Sequence, residues 1–418
     1  MNKKKVYASI EIADSEVRLV VLETFEARQN VLRVECTPCA GVKNQTIVDE
    51  VAVINAIRKC VTQAQAALGY RIERVLLAIP SINVERANQK VRVQIEDGTK
   101  NIRLFHVQQG LTRAFQRKLG SNVELVNANR IQYVINNEVT QKMPIGLECK
   151  DFYMDVDLLY ADKEAIFKYV YCIEKANLEV LDICLDSYAI GQETAAISQS
   201  LDRPIIQLDI EKDSTNMTYF GKGKLMTCAN LEVGYSSFVN ELKEKYNLTD
   251  EVCFRLLQNI FSNQIEENSE VIVYIEQQGD VRVEITAREL AESCIPKIRD
   301  WIADVNEMCS PIVDLGKAKY IITGKGANIA VLKQMEKAFN APASVYKPNT
   351  IGARDGGYAC CLGMAYVWND INRIRHKDVT SPNNNELEAS IDSIKAKSGK
   401  SEGGFTKKLR SVILNDNK

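Results

Sequence analysis

One pattern occurs in both halves of this chain and constrains its fold more than any other feature. From Val6 to Glu23, apolar residues alternate and then run together around a polar interruption, Glu11 to Glu16, which spells a strand, a tight turn and a second strand. From Pro204 to Leu225 the pattern returns. Ile205, Ile206 and Leu208 lead to Asp209, a polar tip spans Glu211 to Asn216, and Met217, Tyr219 and Phe220 lead to Gly221-Lys222-Gly223. A hairpin restated at this separation predicts a duplicated fold.

The intervening elements give its class. An amphipathic helix is expected over Asp49 to Leu68, with Val53, Ile54, Ile57, Val61, Ala64 and Leu68 on one face and Gly69 at the stop, followed by a strand at Val75 to Ile79. Strand, strand, helix, strand is the grammar of a mixed α/β sheet. From Val84 to Asp157 the texture changes, as in an inserted subdomain; a helix at Lys163 to Ala176 and a strand at Val180 to Cys184 then resume the first half. The second half predicts helices at Ser237 to Lys245 and Asp250 to Phe261, strands at Val271 to Ile275 and Val281 to Ile285, and a helix from Ala287 to Met308. A buried strand and turn, Tyr320 to Ala327, leads through Gly324-Lys325-Gly326 into a helix at Ile329 to Phe339.

From Lys377 to Gly404 the composition turns polar, with Pro382, three asparagines, five acids and four lysines, which predicts a flexible linker spanning roughly 30 Å. Beyond it, Phe405, Leu409, Val412 and Ile413 recur at helical spacing, interleaved with Lys407, Lys408 and Arg410. Such a basic amphipathic helix suits an anionic bilayer surface, the plain alternative being a tail packed on its own domain. Each buried apolar side chain gains roughly 1.5–3 kcal/mol and each cation about 1, and ordering the helix takes much of this back. One copy would bind reversibly and several copies on one assembly would bind firmly, so the tail predicts self-association.

A net charge of −2 argues against a nucleic-acid partner, which needs a basic excess to neutralise phosphates. The longest apolar run, Tyr358 to Trp368, is too short to span a bilayer, and the lysines of the first residues precede a strand pattern rather than a signal peptide, so a cytoplasmic location is expected. Twelve cysteines then read as reduced, mostly buried thiols. Cys36 and Cys39 form a C-x-x-C pair without a second pair, and His106 and His376 are the only histidines, so no metal site is expected.

In order and spacing the chain resembles the actin-like superfamily and, within it, the FtsA family of bacterial division proteins. Gly41-Val42-Lys43-Asn44-Gln45-Thr46-Ile47-Val48-Asp49 is similar to the family's lead-in to its first helix, and Ala67-Leu68-Gly69-Tyr70-Arg71-Ile72 to its exit. Pro144-Ile145-Gly146-Leu147 resembles a turn of the inserted subdomain, and the C-terminal amphipathic segment resembles a membrane-targeting helix. The resemblance implies a duplicated actin-like (ribonuclease H-like) α/β fold. Its subdomains would be 1A (residues 1–82 and 163–202), 1C (83–162), 2A (203–239 and 309–376) and 2B (240–308), then the linker (377–404) and the amphipathic helix (405–418). It further implies a self-assembling protein at the cytoplasmic face of the membrane at the division septum, where it ties FtsZ filaments to lipid beside other division proteins. The FtsZ C-terminal tail would bind subdomain 2B, where Arg282, Arg288, Lys297 and Arg299 are candidates.

The departures fall at the implied ATP site. Actin-like ATPases surround phosphates with two glycine-rich tips, because backbone amides approach an anion only where no side chain intervenes. Here the tips read Glu11-Ile12-Ala13-Asp14-Ser15 and Asp209-Ile210-Glu211-Lys212-Asp213-Ser214-Thr215, without a glycine. Thr323-Gly324-Lys325-Gly326-Ala327 resembles the adenosine loop, Glu11 and Asp209 stand where magnesium-linked aspartates would, Asp186 stands at the catalytic-side position, and Gly234 belongs to the same degenerate set. This leaves room for ATP, with Mg only if ATP binds, while the added carboxylates weigh against hydrolysis and leave no catalytic residue to name. The alternatives are a PilM-like platform for type IV pilus assembly, which needs no lipid helix, and an actin-like ATPase or kinase, which needs the missing glycines.

Overall fold

The computed structural model describes residues 5–25, 28–259, 269–279 and 281–383. The amphipathic segment Phe405 to Lys418, the linker beyond residue 383 and the suspected helix Leu387 to Lys397 lie outside the described residues.

The duplication is topological as well as sequential. In the first half the hairpin of Lys5–Ile12 and Glu16–Phe25 is extended by an antiparallel third strand, Arg28–Pro38, while Arg74–Ile79 and then Glu179–Leu185 add in parallel on the other side. In the second half Ile205–Ile210, Thr215–Gly221 and Lys224–Leu231 form the same meander, and Lys319–Thr323 and Ala343–Val345 add in parallel in the same order. Strand pairing ends at Ile12 with Val17 in one hairpin and at Ile210 with Thr215 in the other, so each tip holds four residues.

The third strands, Arg28–Pro38 and Lys224–Leu231, are absent from the sequence-based assignment. Both are edge strands with largely exposed side chains, so the apolar signal that marks a strand is diluted. The helix Glu50–Leu68 follows its local cues. Asp49 accepts from Ala52 N (3.0 Å), and Gly69 takes the left-handed conformation (φ 79°) while donating to Gln65 O (2.8 Å). Gly41 of the lead-in accepts from Val48 N and Asp49 N, and a Cβ there would stand 2.5 Å from Asp49 O. The expected helix over 329–339 is instead a short helix, Ala330–Gln334, flanked by 3-10 turns at Lys325–Asn328 and Met335–Ala338. Its last turn is drawn to the sheet edge, where Glu336 accepts from Val345 N (2.9 Å).

Two insertions interrupt the halves. Glu85–Gln94, Val123–Ile135, Glu138–Thr140 and Asp151–Asp162 build a four-stranded sheet, with the helix Leu104–Phe115 above its own small core. In the second half Asn240–Tyr246, Asp250–Asn259, the hairpin Ile272–Gln278 with Val281–Thr286, and the helix Ala287–Val313 share the core of the second half's sheet. The first half's sheet with its insertion is lobe I, and the second half's sheet with its insertion is lobe II. That long helix starts on a capping box, in which Thr286 Oγ accepts from Glu289 N (3.2 Å).

The run Tyr358 to Trp368 becomes the helix Ala359–Arg375, which lies over the first sheet with Trp368 edge-on to Tyr7. It crosses the helix Asp186–Glu193 at Gly363, where a Cβ would stand 1.9 Å from Ala189 O. No helix among the described residues is long and apolar enough to cross a membrane.

A further expectation is corrected. The linker begins later than Lys377, because Thr380, Ser381 and Pro382 are buried against the first sheet. Lys5–Ile12 and Arg74–Ile79 pair only at Ser9 with Leu76 and Ile10 with Leu77, so their other ends splay apart. Ser381 fills the gap: its N–H donates to Val6 O (3.0 Å), its carbonyl accepts from Glu73 N and Arg74 N (2.9 and 3.1 Å), and its hydroxyl oxygen accepts from Ala8 N (2.7 Å). Buried backbone groups must find partners, and this serine supplies four.

Candidate functional site

The two hairpin tips face each other across the line between the lobes, so the duplicated fold itself brings their side chains together. Asp14 joins them directly, accepting from Ser214 Oγ (2.9 Å) and from Gln45 N (2.7 Å). Ser15 Oγ lies 3.5 Å from the Tyr235 hydroxyl. The dominant link is Arg18, which is 1% exposed. Its Nε donates to Glu16 (2.7 Å), Nη1 to Glu11 (3.3 Å), Glu211 (3.0 Å) and the Gly357 carbonyl (3.0 Å), and Nη2 to the other oxygen of Glu211 (2.7 Å). Lys325, from lobe II, returns the contact by pairing with Glu16 of lobe I.

These charges share little water, and burial decides which are ionised. Burial pushes Glu11 well up, aided by Glu211, Asp209 and Asp186 and only partly offset by Arg18. Burial, with Glu211 and Asp186 nearby, pushes Asp209 up to about 8. Asp186, buried but accepting from Ser81 and Ser187, is pushed up to about 6. Burial also raises Glu211, opposed by the two-oxygen fork with Arg18. Burial acts the same way on Glu16, yet Arg18 and Lys325 outweigh it and hold that carboxyl down at about 2. Burial thus favours the neutral form of Glu11, Asp209 and Glu211, while the ion pairs to Arg18 and Lys325 favour the carboxylate of Glu16.

Of the expected nucleotide residues, Glu11, Asp14, Asp186 and Asp209 line one small cavity between the tips. Ser15 and Ser214 are tied across the lobes as above. Thr215 faces away: its hydroxyl donates to Val233 O (2.7 Å) and accepts from Trp301 Nε1 (3.1 Å) inside the lobe II core. Gly234, Gly324 and Gly326 serve tip two rather than open space. A Cβ on Gly234 would meet Glu211 O at 2.3 Å, one on Gly324 (φ 81°) would meet Ile210 O at 2.6 Å, and one on Gly326 would meet the Ile210 side chain at 2.6 Å. Ala327 is buried beside Gly356.

The residues present do not fit a triphosphate. The cavity between the tips measures about 20 Å³, enough for about one water, whereas ligand pockets run to roughly 300–1,000 Å³. Its walls carry the carboxyl groups of Glu11, Asp14, Asp186, Asp209 and Glu211 and no cationic side chain to offset a polyphosphate's charge.

Arg18, Glu16, Glu211 and Lys325 were not picked out together from the sequence as one cluster. One signal was there: Glu16-Val17-Arg18 opens an otherwise apolar strand, and a cation in such a run is buried only if paired.

In the second insertion the four basic candidates are exposed. Arg282 pairs with Glu284 (2.6 Å), Lys297 with Glu241 (2.9 Å) and Arg288 with Glu270. Arg299 is likewise exposed on the long helix. Beside them Val271, Ile272 and Ile275 leave 41–55% of their surface in water, an apolar strip that the charge-based reading overlooked.

Two sheets of identical strand order, facing hairpin tips and an insertion in each half define an actin-like protein. No family model matches the chain. Cell division protein FtsA of Bacillus subtilis is 23% identical over 375 residues, covering 87% of this chain and 83% of that protein. FtsA of Staphylococcus epidermidis is 22% identical over 364 residues, covering 85% and 77%. Among solved structures, a PilM–PilN type IV pilus biogenesis complex superposes with a TM-score of 0.56 at 13% identity, covering 86% of this chain and 97% of that one. The ethanolamine utilization protein EutJ of Carboxydothermus hydrogenoformans gives 0.51 at 12% identity, covering 86% and 89%. The structural likenesses speak to the fold alone, which is actin-like; in sequence the chain is similar to FtsA division proteins along both lobes.

Proposed function

We propose that this protein is a division-site adaptor: it assembles with copies of itself and ties FtsZ filaments to the cytoplasmic membrane at the septum. The observation that carries the reading is the run of similarity to FtsA proteins through both lobes and both insertions. Two further features support it. The sequence ends in a basic amphipathic segment suited to anionic lipid, and no described helix could cross a bilayer, which is compatible with peripheral attachment. The exposed Val271, Ile272 and Ile275 beside Arg282 and Arg288 offer an apolar and basic surface for a partner's acidic tail.

The adaptor role needs no turnover, and we place the protein outside the enzymes. The acidic, nearly filled cleft supports this.

Sedimentation with anionic liposomes tests the tether: changing Leu409 and Ile413 to Asp should abolish binding by the full chain, and unchanged binding would refute it. Titration of the FtsZ C-terminal peptide against Arg282→Glu and Ile275→Asp variants tests the partner surface, with weakened binding expected.

A further inference from the structure

We propose that Arg18 is a chain-borne replacement for a bridging ligand: fixed on the first hairpin and gripped by Glu211 of the second, it holds the two lobes closed without nucleotide. The inference concerns the cleft alone and stands independently of lipid or FtsZ binding.

The registers of the two hairpins show how the exchange is built. With Ile12 aligned on Ile210, the first tip position is Ala13 in one hairpin and Glu211 in the other. The side chain that departs from the small residue thus belongs to lobe II, and it points at a guanidinium belonging to lobe I. Both oxygens of Glu211 are used, at 3.0 and 2.7 Å, in the planar two-point geometry that arginine forms with carboxylates. Lys325 crosses in the opposite direction to Glu16, and its backbone N–H donates to Glu211 (3.1 Å), so the two ion pairs are interlocked.

Space is arranged for the guanidinium. A Cβ on Gly357 would stand 3.0 Å from Arg18 Cζ, and the Gly357 carbonyl accepts from Nη1. The remaining cavity of about 20 Å³ then leaves no volume for phosphates. A dissociable ligand stabilises the state it binds in proportion to its concentration, whereas this cross-link is present in every folded molecule. Removing one member of such a buried set strands its partners' charges, so loss of the Glu211 charge should loosen the closed arrangement.

The test uses the purified full chain in two measurements. Thermal unfolding with and without millimolar Mg-ATP or Mg-ADP should give the same midpoint; a rise of several degrees with nucleotide would overturn the proposal. Hydrogen exchange is then compared between the unaltered protein and Glu211→Gln, which keeps the shape and the acceptor for Lys325 N. Exchange should rise by about tenfold or more at both tips together, residues 11–18 and 209–216, because the cross-link is shared. A rise confined to the second tip, or none, would show that Glu211 acts only locally and would refute the clasp. Where Glu211→Gln does not fold, the nucleotide titration of the unaltered protein decides alone.

Discussion

Raising the pH from about 6 to about 8 should weaken the fold through Asp209. Burial, with Glu211 and Asp186 beside it, lifts this carboxyl from 3.8 to about 8. A carboxyl raised on folding binds its proton more tightly in the folded state, so its stabilising contribution is complete at low pH and is lost as pH climbs through about 4 toward 8. At about 1.4 kcal/mol per unit, the interval between pH 6 and 8 removes on the order of 2–3 kcal/mol. Glu11, also raised, has the same sign. Glu16 works at the other end: held at about 2 against 4.5, its contribution is lost as pH falls through that window, so stability should peak between the two. The assay is urea unfolding of the unaltered protein and of Asp209→Asn at several pH values from 6 to 8. The substitution removes the titrating proton and retains an oxygen to accept from Thr323 Oγ, which donates to Asp209 at 2.9 Å. The unaltered protein should lose about 2 kcal/mol more than the variant across the interval. Parallel curves would refute the assignment of a buried, protonated Asp209.

Other substitutions probe the frame. Gly363→Ala drives a methyl into Ala189 O and should cost toward the upper end of about 1–3 kcal/mol, read by denaturant unfolding. Ser381→Ala strips Ala8 N of its partner in a buried seam and should cost about 1–3 kcal/mol in the same measurement, with faster exchange of that amide. Asp49→Ala removes a helix cap, at about 1 kcal/mol. Gly324→Ala should be far worse than a surface change, because its φ of 81° and its contact with Ile210 O both exclude a side chain; a cost under about 0.5 kcal/mol would contradict the described turn.

What the sequence disclosed tracks how local each cue is. The hairpins and the helix Glu50–Leu68, with Asp49 at its start and Gly69 at its stop, are written in residues a few positions apart, and they were legible. The third strands were not, because an exposed edge strand needs little apolar pattern. The loss of tip glycines was legible, and so were the carboxylates Glu11, Asp186 and Asp209. What replaced the glycines was not: the Arg18–Glu211 pair joins residues on separate hairpins, and no one-dimensional pattern brings them together. Gly324 and Gly326 illustrate the reverse difficulty, since the same two residues suit either a nucleotide or the close passage of Ile210, and only coordinates separate these.

The seam at Ser381 has a mechanical consequence. The described residues end two positions later, and the seam lies at the end of the first sheet opposite the tips, so a load applied C-terminal to it reaches Val6, Ala8, Glu73 and Arg74 first. Those groups belong to two neighbouring strands of lobe I, and the load is divided between them across four hydrogen bonds. A load arriving from the C-terminal side would therefore be carried by the first sheet at the end away from the cleft.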